Sequence, residues 1–353
     1  MIQFIAHRIL YGMFTLLGVT TAVFFLFNGL GDPARLTMGQ RADVESIETV
    51  RRELGLDLPL WQQFGMYLND ISPLSIHENT PQNEQKYAYT QILSLSNKTF
   101  VVKKPYLRRS YQTKRLVTDV LLQALPKTII LGLLAMLFAS VVGIVLGIIA
   151  ALRPFSWLDG SILITSVMGI SQPSYFSGII LALIFGYWLH DYTGLNYTGG
   201  LYELNDLGEE TLCLRNLILP AIALGIRPVS IIVQLMRGSM LETMTQDYIR
   251  TAHAKGLPPY KVVFKHALRN ALNPVVTAIS GWLASILAGA YFIEIIFDYK
   301  GLGYETIRAL GTLDFPVAMG SVLFTASLFV IINIFVDILY GFIDPRVSLS
   351  KTN

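Results

Sequence analysis

The sequence predicts an all-α membrane protein with six transmembrane helices, and three observations predict that class. Of its 353 residues, 53% are hydrophobic and only 14% are charged. Mean hydropathy is +0.51. A soluble domain carries about 25% charged residues, so this chain is too poor in charge to cover a water-exposed surface. The apolar residues also form long continuous runs, which are typical of membrane-spanning helices and not of the alternating strands of a barrel.

Six apolar stretches approach or exceed the roughly 20 residues that a helix needs to cross a bilayer. They cover residues 9–31, 128–152, 161–189, 217–236, 271–293 and 315–343. The fourth is interrupted by Arg227 and Pro228, and the sixth carries Asp337 near its end. We interpret the first stretch as a retained helix, because its apolar run is longer than that of a signal peptide and no small-x-small cleavage site precedes Asp32.

The basic residues of the short loops predict the orientation, because such residues are enriched on the cytoplasmic side. With the N-terminus inside, the short outer loops hold only Arg215, Lys300 and Arg308. The inner segments hold ten basic residues: Arg8, Arg153, Arg237, Arg250, Lys255, Lys261, Lys265, Arg269, Arg346 and Lys351. Both termini, including the tail 346–353, are therefore predicted to be cytoplasmic.

With this topology the long segment 32–127 is external. It contains thirteen Lys and Arg, but the enrichment of basic residues on the cytoplasmic side applies to short loops, so these residues do not contradict the orientation. Its first half, Val44 to Leu68, has helical periodicity with a break at Gly55. Its second half, 71–114, is polar and rich in tyrosine, with β-leaning pieces such as 99–102. We interpret this second half as a small extramembrane insertion that could contain a hairpin.

Composition and motifs also exclude several functions. A net charge of +3 gives no indication of nucleic-acid binding. Cys213 is the only cysteine, so an intramolecular disulfide is excluded, and we expect an apolar filler and neither a metal site nor a cofactor. The chain has no G-x-x-x-x-G-K-[ST], so it cannot hydrolyse a nucleotide with a P-loop, and we expect no enzymatic activity.

The segment 237–270 is the longest predicted cytoplasmic loop and the most basic. It is interpreted as two short helices, Leu241–Lys255 and Tyr260–Leu272. Between them, Gly256 suits a left-handed C-cap and Pro258 and Pro259 suit the start of a helix. Such a helical elbow can dock into a groove on a soluble partner, or lie on the membrane with its basic face against the headgroups. The pattern alone does not choose between these two.

Residues 247–257, which are DYIRTAHAKGL, resemble the EAA-type cytoplasmic loop of ABC importer permeases, in the version found in dipeptide and oligopeptide importers. Four further motifs fit the same family: GDPA at 31–34, LGLDLP at 54–59, HALRNALNPVV at 266–276 and DILYGFIDPR at 337–346. The resemblance covers about residues 1–70 and 115–347. His253 stands where the peptide branch usually has arginine, Lys300 replaces a proline, and 71–114 has no counterpart that we can place.

The resemblance implies a type I ABC importer permease (MetI-like) bundle over 115–345, an N-terminal transmembrane helix over 1–31 and an extracytoplasmic insertion between them. It implies a multi-pass protein of the bacterial inner membrane that forms half of an ATP-driven pathway for di- or oligopeptides. Implied partners are a second permease subunit, two cytoplasmic ATPase subunits, an extracytoplasmic substrate-binding protein and membrane lipid. Dipeptides, longer peptides, nickel chelates and peptide-like antibiotics remain alternative cargoes.

The resemblance also implies that Tyr248 to Leu257, within the loop 237–270, form a coupling helix seated in a cleft of an ATPase subunit. Gly256 would permit a tight turn at the C-terminal end of this helix. Arg250 and Lys255 would face the cleft. The residues implied to couple to the ATPase are Tyr248, Arg250, Thr251, Ala252, Ala254, Lys255, Gly256 and Leu257.

Two charges lie within the predicted spans, where an ionisable residue indicates function or a specific partner. Arg227 is the deeper one, and we interpret it either as part of a substrate pathway or gate or as a structural cation that snorkels or pairs. Asp337 is interpreted as a structural partner for a basic group. Gly132, Gly143, Gly147, Gly281 and Gly289 are expected to permit close helix packing.

Two other classes compete with the importer interpretation. A secondary transporter without ATPase partners should have paired acidic residues at mid-membrane and inverted repeats with broken helices. An intramembrane enzyme should have a motif such as H-E-x-x-H within a span. The sequence has neither feature, which favours the importer.

Overall fold

The computed structural model describes residues 2–29, 51, 55–95, 98–205 and 208–343. Most of them are helical. The helices are, in chain order, α1 Ile2–Gly29, α2 Leu60–Ile71, α3 Pro81–Tyr87, α4 Val117–Leu152, α5 Trp157–Ser171, α6 Ser174–Leu181, α7 His190–Thr193, α8 Ile218–Met244, α9 Asp247–Ala254, α10 Pro259–Lys261, α11 Leu268–Gly289, α12 Tyr291–Ile296, α13 Leu302–Gly311 and α14 Phe315–Ile343.

Shorter elements lie between these helices. Ala182–Trp188 and Val262–Ala267 are π-helical, and Leu214–Leu217 is a 3-10 helix. The strands are β1 Leu74–Glu78, β2 Thr90–Leu95, β3 Lys98–Val102, β4 Tyr202–Leu204 and β5 Glu210–Leu212. Of the segment Val44–Leu68, residues 44–50 and 52–54 lie outside the described residues. Within the rest, Gly55 has a φ of +67° at the predicted break, and α2 begins at Leu60. The GDPA motif at 31–34 and the tail 346–353 also lie outside the described residues.

Four helical segments of the described chain are long and apolar enough to cross a membrane: Ala6–Gly29, Val117–Leu152, Leu214–Met244 and Phe315–Ile338. They correspond to the first, second, fourth and sixth predicted stretches. The pair Trp157–Ser171 and Ser174–Trp188 passes the same test together, which makes up to five spans. The fifth predicted stretch is occupied by α11, a helix of 22 residues that is not one of these spans. The count of six stays a prediction.

The third predicted stretch is not one continuous helix. The chain bends by 109° between α5 and α6. Gln172 has an extended ψ of 139° and Pro173 one of 138°. Proline has no N–H for the helical ladder, and its ring disfavours the helical conformation of the residue before it. The Gln-Pro pair therefore breaks the helix in the middle of an apolar run.

The structure divides into two compact units. The first contains residues 1–12, 125–304 and 327–353, and the second contains 13–124 and 305–326. In the first unit, α8 is buried over much of its length and packs against α5, α6 and α11.

Two of the glycines that the sequence predicts to permit close helix packing lie on α4, and they permit a close approach of α8. A Cβ on Gly143 would lie 2.7 Å from a methyl carbon of Ile232, and one on Gly147 would lie 2.6 Å from the Cβ of Met236. Either position therefore excludes a larger residue unless the helices separate. Gly281 of α11 differs, because a Cβ there would meet no atom within 4 Å.

The second unit contains a three-stranded antiparallel sheet in the order β1-β3-β2. β2 and β3 pair as neighbours in the chain, and Leu74 of β1 lies opposite Val102 of β3. The β-leaning piece 99–102 is therefore a strand, as the sequence predicts, and it is the central one.

A buried carboxylate connects the sheet to its flanking segments. Asp70, at the end of α2, is 6% exposed. It accepts hydrogen bonds from the Tyr87 hydroxyl at 2.7 Å and from Nε of Arg108 at 3.0 Å. The Lys103 ammonium donates to the Asp70 carbonyl, and burial lowers the pKa of Lys103 to about 8. A polar centre thus stabilises this insertion.

We expect Asp70→Ala to loosen the insertion while leaving the membrane-spanning helices in place. The change leaves Arg108 and the Tyr87 hydroxyl without their acceptor, at a cost of about 2 kcal/mol, or roughly 30-fold more frequent opening. Limited proteolysis of the purified chain should show faster cleavage within residues 60–116. Glu84→Ala, which removes an exposed carboxylate of α3, is the matched control. Equal cleavage rates in the two variants would contradict the role of Asp70.

Candidate functional site

The candidate site is α9, the short helix that follows α8. Ile249 is 1% exposed and Ala252 is 5% exposed, and both pack into the apolar core of the first unit. The residues on the opposite side of α9 are exposed. Of the eight predicted coupling residues, Ala252 is buried, Leu257 is half-buried, and the other six are exposed: Tyr248, Arg250, Thr251, Ala254, Lys255 and Gly256.

The C-terminus of α9 has the geometry of a Schellman motif. Gly256 has a φ of +75°. Its N–H donates to the His253 carbonyl at 2.9 Å, and the Leu257 N–H donates to the Ala252 carbonyl at 3.3 Å. These are the two bonds that define the motif, and they satisfy carbonyls at the helix end. The predicted left-handed C-cap at Gly256 is confirmed.

The two helices predicted for this loop have different limits in the structure. The first, Leu241–Lys255, is divided, because α8 continues to Met244 and α9 begins only at Asp247 after an extended Gln246. The second, Tyr260–Leu272, is not a separate helix. It starts at Pro259 and continues through the π-helical segment into α11. α9 is therefore linked by short connections to a long helix on each side.

One side-chain contact ties α9 to α11. The Asn270 amide donates to the Tyr248 hydroxyl at 2.7 Å. Arg250 and Asp247 form an ion pair at 3.6 Å, but both are highly exposed, so this pair adds little to stability.

Beyond α9, Tyr260 and Phe264 are 61% and 60% exposed. The exposed surface therefore extends from α9 onto the following segment.

An ion pair between the half-buried Arg237 and the buried Asp159 lies at the start of α5, and sequence reasoning missed it. Nε and Nη2 of Arg237 donate to the two carboxylate oxygens of Asp159 at 2.6 and 2.7 Å. Asp159 is 2% exposed and also accepts the Phe155 N–H at 2.9 Å. Arg237 lies on α8 about two turns before the end of that helix, so the pair fixes the segment that leads into α9. The two residues are 78 apart in sequence, so no local pattern pairs them, and the charge pattern alone indicates only a loop cation at Arg237.

The two intramembrane charges differ in their surroundings. Asp337 on α14 lies 3.1 Å from the guanidinium of Arg8 on α1. Arg227 on α8 is exposed, and no hydrogen bond or ion pair joins its side chain to another described residue. Among the described residues, no three His, Cys, Asp or Glu side chains are grouped so that they could hold a metal ion.

Comparison with known proteins identifies the family. Residues 143–349 match the family described as binding-protein-dependent transport system inner membrane component. Residues 1–80 match the N-terminal family of the same systems. This second match extends ten residues into the segment 71–114, so the segment does not wholly lack a counterpart.

Several curated relatives align over nearly the whole chain. The di/tripeptide transport system permease protein DppB of Pseudomonas aeruginosa is 35% identical over 98% of this chain and 99% of its own length. The dipeptide transport system permease protein DppB of Escherichia coli is 33% identical, over 99% and 100%. A putative peptide transport system permease protein of Brucella abortus is 36% identical, over 98% and 99%.

Among solved structures, a chain of the MetNI methionine ABC transporter is 18% identical with a TM-score of 0.49, over 64% of this chain and 97% of that one. The family matches and the curated relatives determine the assignment. The chain belongs to the family of inner membrane components of binding-protein-dependent transport systems.

Proposed function

We propose that this chain is the permease subunit of an ATP-driven peptide importer and that it forms half of the translocation pathway together with a second permease subunit. The family is defined by dependence on a binding protein, which would deliver cargo from outside the membrane. The relatives named above are peptide permeases, which favours di- or oligopeptides as the cargo. ATP is hydrolysed on two separate cytoplasmic ATPase subunits.

In this proposal α9 is the coupling helix. Its eight residues form a helix about 12 Å long, which is a suitable size for a cleft on a partner protein. Ile249 and Ala252 fix one side in the core, so a force applied to the exposed side moves α8 and α11 as well. Closure of the ATPase pair would thereby bias a two-state helical bundle.

The burial pattern of α9 is the observation that carries the proposal. A helix that lies on a membrane needs a free apolar face to insert among the lipids. The apolar residues Ile249 and Ala252 instead face the protein core. The outward side presents Tyr248, Arg250 and Lys255, a polar surface with one aromatic ring. This favours docking on a soluble partner over contact with headgroups.

The test is reconstitution of the chain in proteoliposomes with a second permease, two ATPase subunits and a binding protein. We expect uptake of a labelled dipeptide that requires ATP and the binding protein. Omission of the ATPase subunits should abolish uptake. Uptake by the chain alone, driven by a proton or sodium gradient, would instead support a secondary transporter.

A labelling experiment tests the proposed orientation. In a Cys213→Ser background, we expect Ile76→Cys to react with an impermeant thiol reagent added outside the cell. Tyr260→Cys should react only after the membrane is opened. Both positions are more than half exposed, at 54% and 61%. The reverse pattern would contradict cytoplasmic termini.

A further inference from the structure

One long apolar helix shows what a lipid-facing surface of this chain looks like. On α4, residues Leu133, Leu137, Val141, Val145 and Ile149 repeat at every fourth position, which places them on one face of the helix. All are uncovered, with exposed fractions between 39% and 60%. All are also apolar, so this face can lie against lipid at no polar cost.

The uncovered face of α8 differs in composition. Arg227, Gln234 and Gly238 are exposed and are spaced seven and four residues apart, which places them on one side of the helix. The opposite side, including Ile232, Met236 and Met240, is fully buried. Arg227 lies about 6 Å along the helix axis from the middle of α8. The polar side chains are therefore deep within a membrane-spanning helix.

The uncovered face of α11, which packs on α8, has the same polar character. Asn273, Thr277, Gly281 and Ser285 repeat every fourth residue, and all four are exposed. A Cβ on Gly281 would meet no atom within 4 Å, so the described chain leaves this face open. Val275 and Ile286 on the other side are buried.

Lipid is an unfavourable environment for the faces of α8 and α11. A cation at the centre of a membrane-spanning helix is costly to insert into the bilayer. Arg227 could reduce this cost by snorkelling, but roughly 9 Å of hydrocarbon would separate its Cα from the interface. Gln234 is on the far side of the helix middle, and its short side chain cannot reach water along the helix. These two faces therefore require water, a polar cargo or a polar partner.

We propose that the uncovered faces of α8 and α11 form the wall of the cargo pathway and that Arg227 binds the carboxylate of the passing peptide. The inference rests on the proposed function, because a peptide cargo supplies the carboxylate. A guanidinium can donate two parallel hydrogen bonds to a carboxylate. Gln234 and Asn273 offer amide groups to the peptide backbone. Because this wall would face water, the guanidinium would be hydrated between cargoes, and binding stays weak enough for the cargo to leave.

The contrast with the other arginine of α8 supports this role. Arg237 lies on the same helix and is neutralised by two hydrogen bonds to Asp159. Arg227 has no such anion among the described residues, so its charge is available to a ligand. A cation with a purely structural role would be expected to have a carboxylate partner, as Arg237 has.

The first test compares peptides that are supplied already bound to the binding protein, in the complete reconstituted complex. We expect Arg227→Gln to reduce ATP-dependent uptake of a dipeptide with a free carboxylate by roughly tenfold, the effect of one lost charge-assisted hydrogen bond. Uptake of its C-terminal amide should change much less. Arg227→Lys should keep most of the uptake. Arg153→Gln, an exposed arginine on the loop after α4, is the matched control.

Two results of this test would overturn the inference. One is unchanged uptake of the free dipeptide by Arg227→Gln. The other is dissociation of the second permease from that variant, which would make Arg227 a structural partner across the interface. The expected result requires that co-purification of all subunits stay at the wild-type level.

The second test needs no transport and therefore separates this inference from the proposed function. In a Cys213→Ser background, single cysteines replace Ile231, Thr277 or Val141 in membranes of expressing cells. Small hydrophilic thiol reagents should label positions 231 and 277 at least tenfold faster than position 141. Adding Arg227→Gln should reduce the preference of position 231 for an anionic over a cationic reagent. Equal protection of all three positions would overturn the proposed wall, even in a chain that imports peptides.

Discussion

Replacing Gly256 with valine should release the ATPase subunits from the complex and reduce ATP-dependent uptake at least about tenfold. Gly256 has a φ of +75°, which a residue with a Cβ adopts at a cost of about 1–2 kcal/mol, and valine is among the least tolerant. The surrounding space is empty, so the cost arises in the backbone and not from a clash. The valine variant should relieve this strain by unwinding the last turn of α9. Lys255 and Leu257 would then move away from their docked positions.

The backbone origin of this effect provides two controls. Gly256→Asn should behave nearly as wild type, because asparagine tolerates the left-handed conformation better than other residues with a side chain. Gly65→Val makes the same change on α2, where a Cβ also meets no atom within 4 Å and φ is not positive. It should leave ATPase association intact. The measurements are co-purification of the ATPase subunits and ATP hydrolysis by the reconstituted complex. Normal values for Gly256→Val would contradict the role of this turn.

The Gly256 turn was predictable from the sequence because its cause is local. A basic residue followed by glycine and then by two prolines specifies where a helix ends, whatever surrounds it. The apolar runs behind α1, α4, α8 and α14 were predictable for a similar reason, since composition alone decides whether a helix can lie in lipid. The break at Gln172-Pro173 also has a local cause, but counting apolar residues along a stretch does not detect it. The residue before a proline disfavours the helical conformation, and this preference predicts the break.

Features that depend on tertiary contacts could not be predicted in this way. Ile249 and Tyr248 are adjacent in sequence, yet one is buried and the other exposed, because only the fold decides which side of α9 meets the core. The same holds for the polar exposed faces of α8 and α11, because the sequences of both helices are apolar on average. Arg227 became informative only when the structure left it without a partner.

Removing the carboxylate of Asp159 should destabilise the first unit and impair coupling together. Asp159 is almost fully buried, and Asp159→Ala leaves the Arg237 guanidinium without its two acceptors. Loss of one partner costs about 3–5 kcal/mol in a fully buried pair, and because Arg237 is half-buried we expect about 2–3 kcal/mol here. We expect the unfolding temperature of the purified chain in detergent to fall by roughly 6–12 °C. Asp191→Ala, which removes an exposed carboxylate on α7, should have no measurable effect.

A double-mutant cycle shows whether the ion pair itself is needed. Asp159→Ala combined with Arg237→Ala should be less destabilising than the sum of the single changes by about 2 kcal/mol, because no charge is then left unpaired. Asp159→Leu with Arg237→Met should recover much of the stability, since apolar groups of similar volume can replace a buried pair. If this stable variant still fails to couple ATP hydrolysis to uptake, the pair positions the base of α9. If it transports normally, the pair contributes stability alone. Simple additivity of the two alanine changes would contradict the direct contact between these residues.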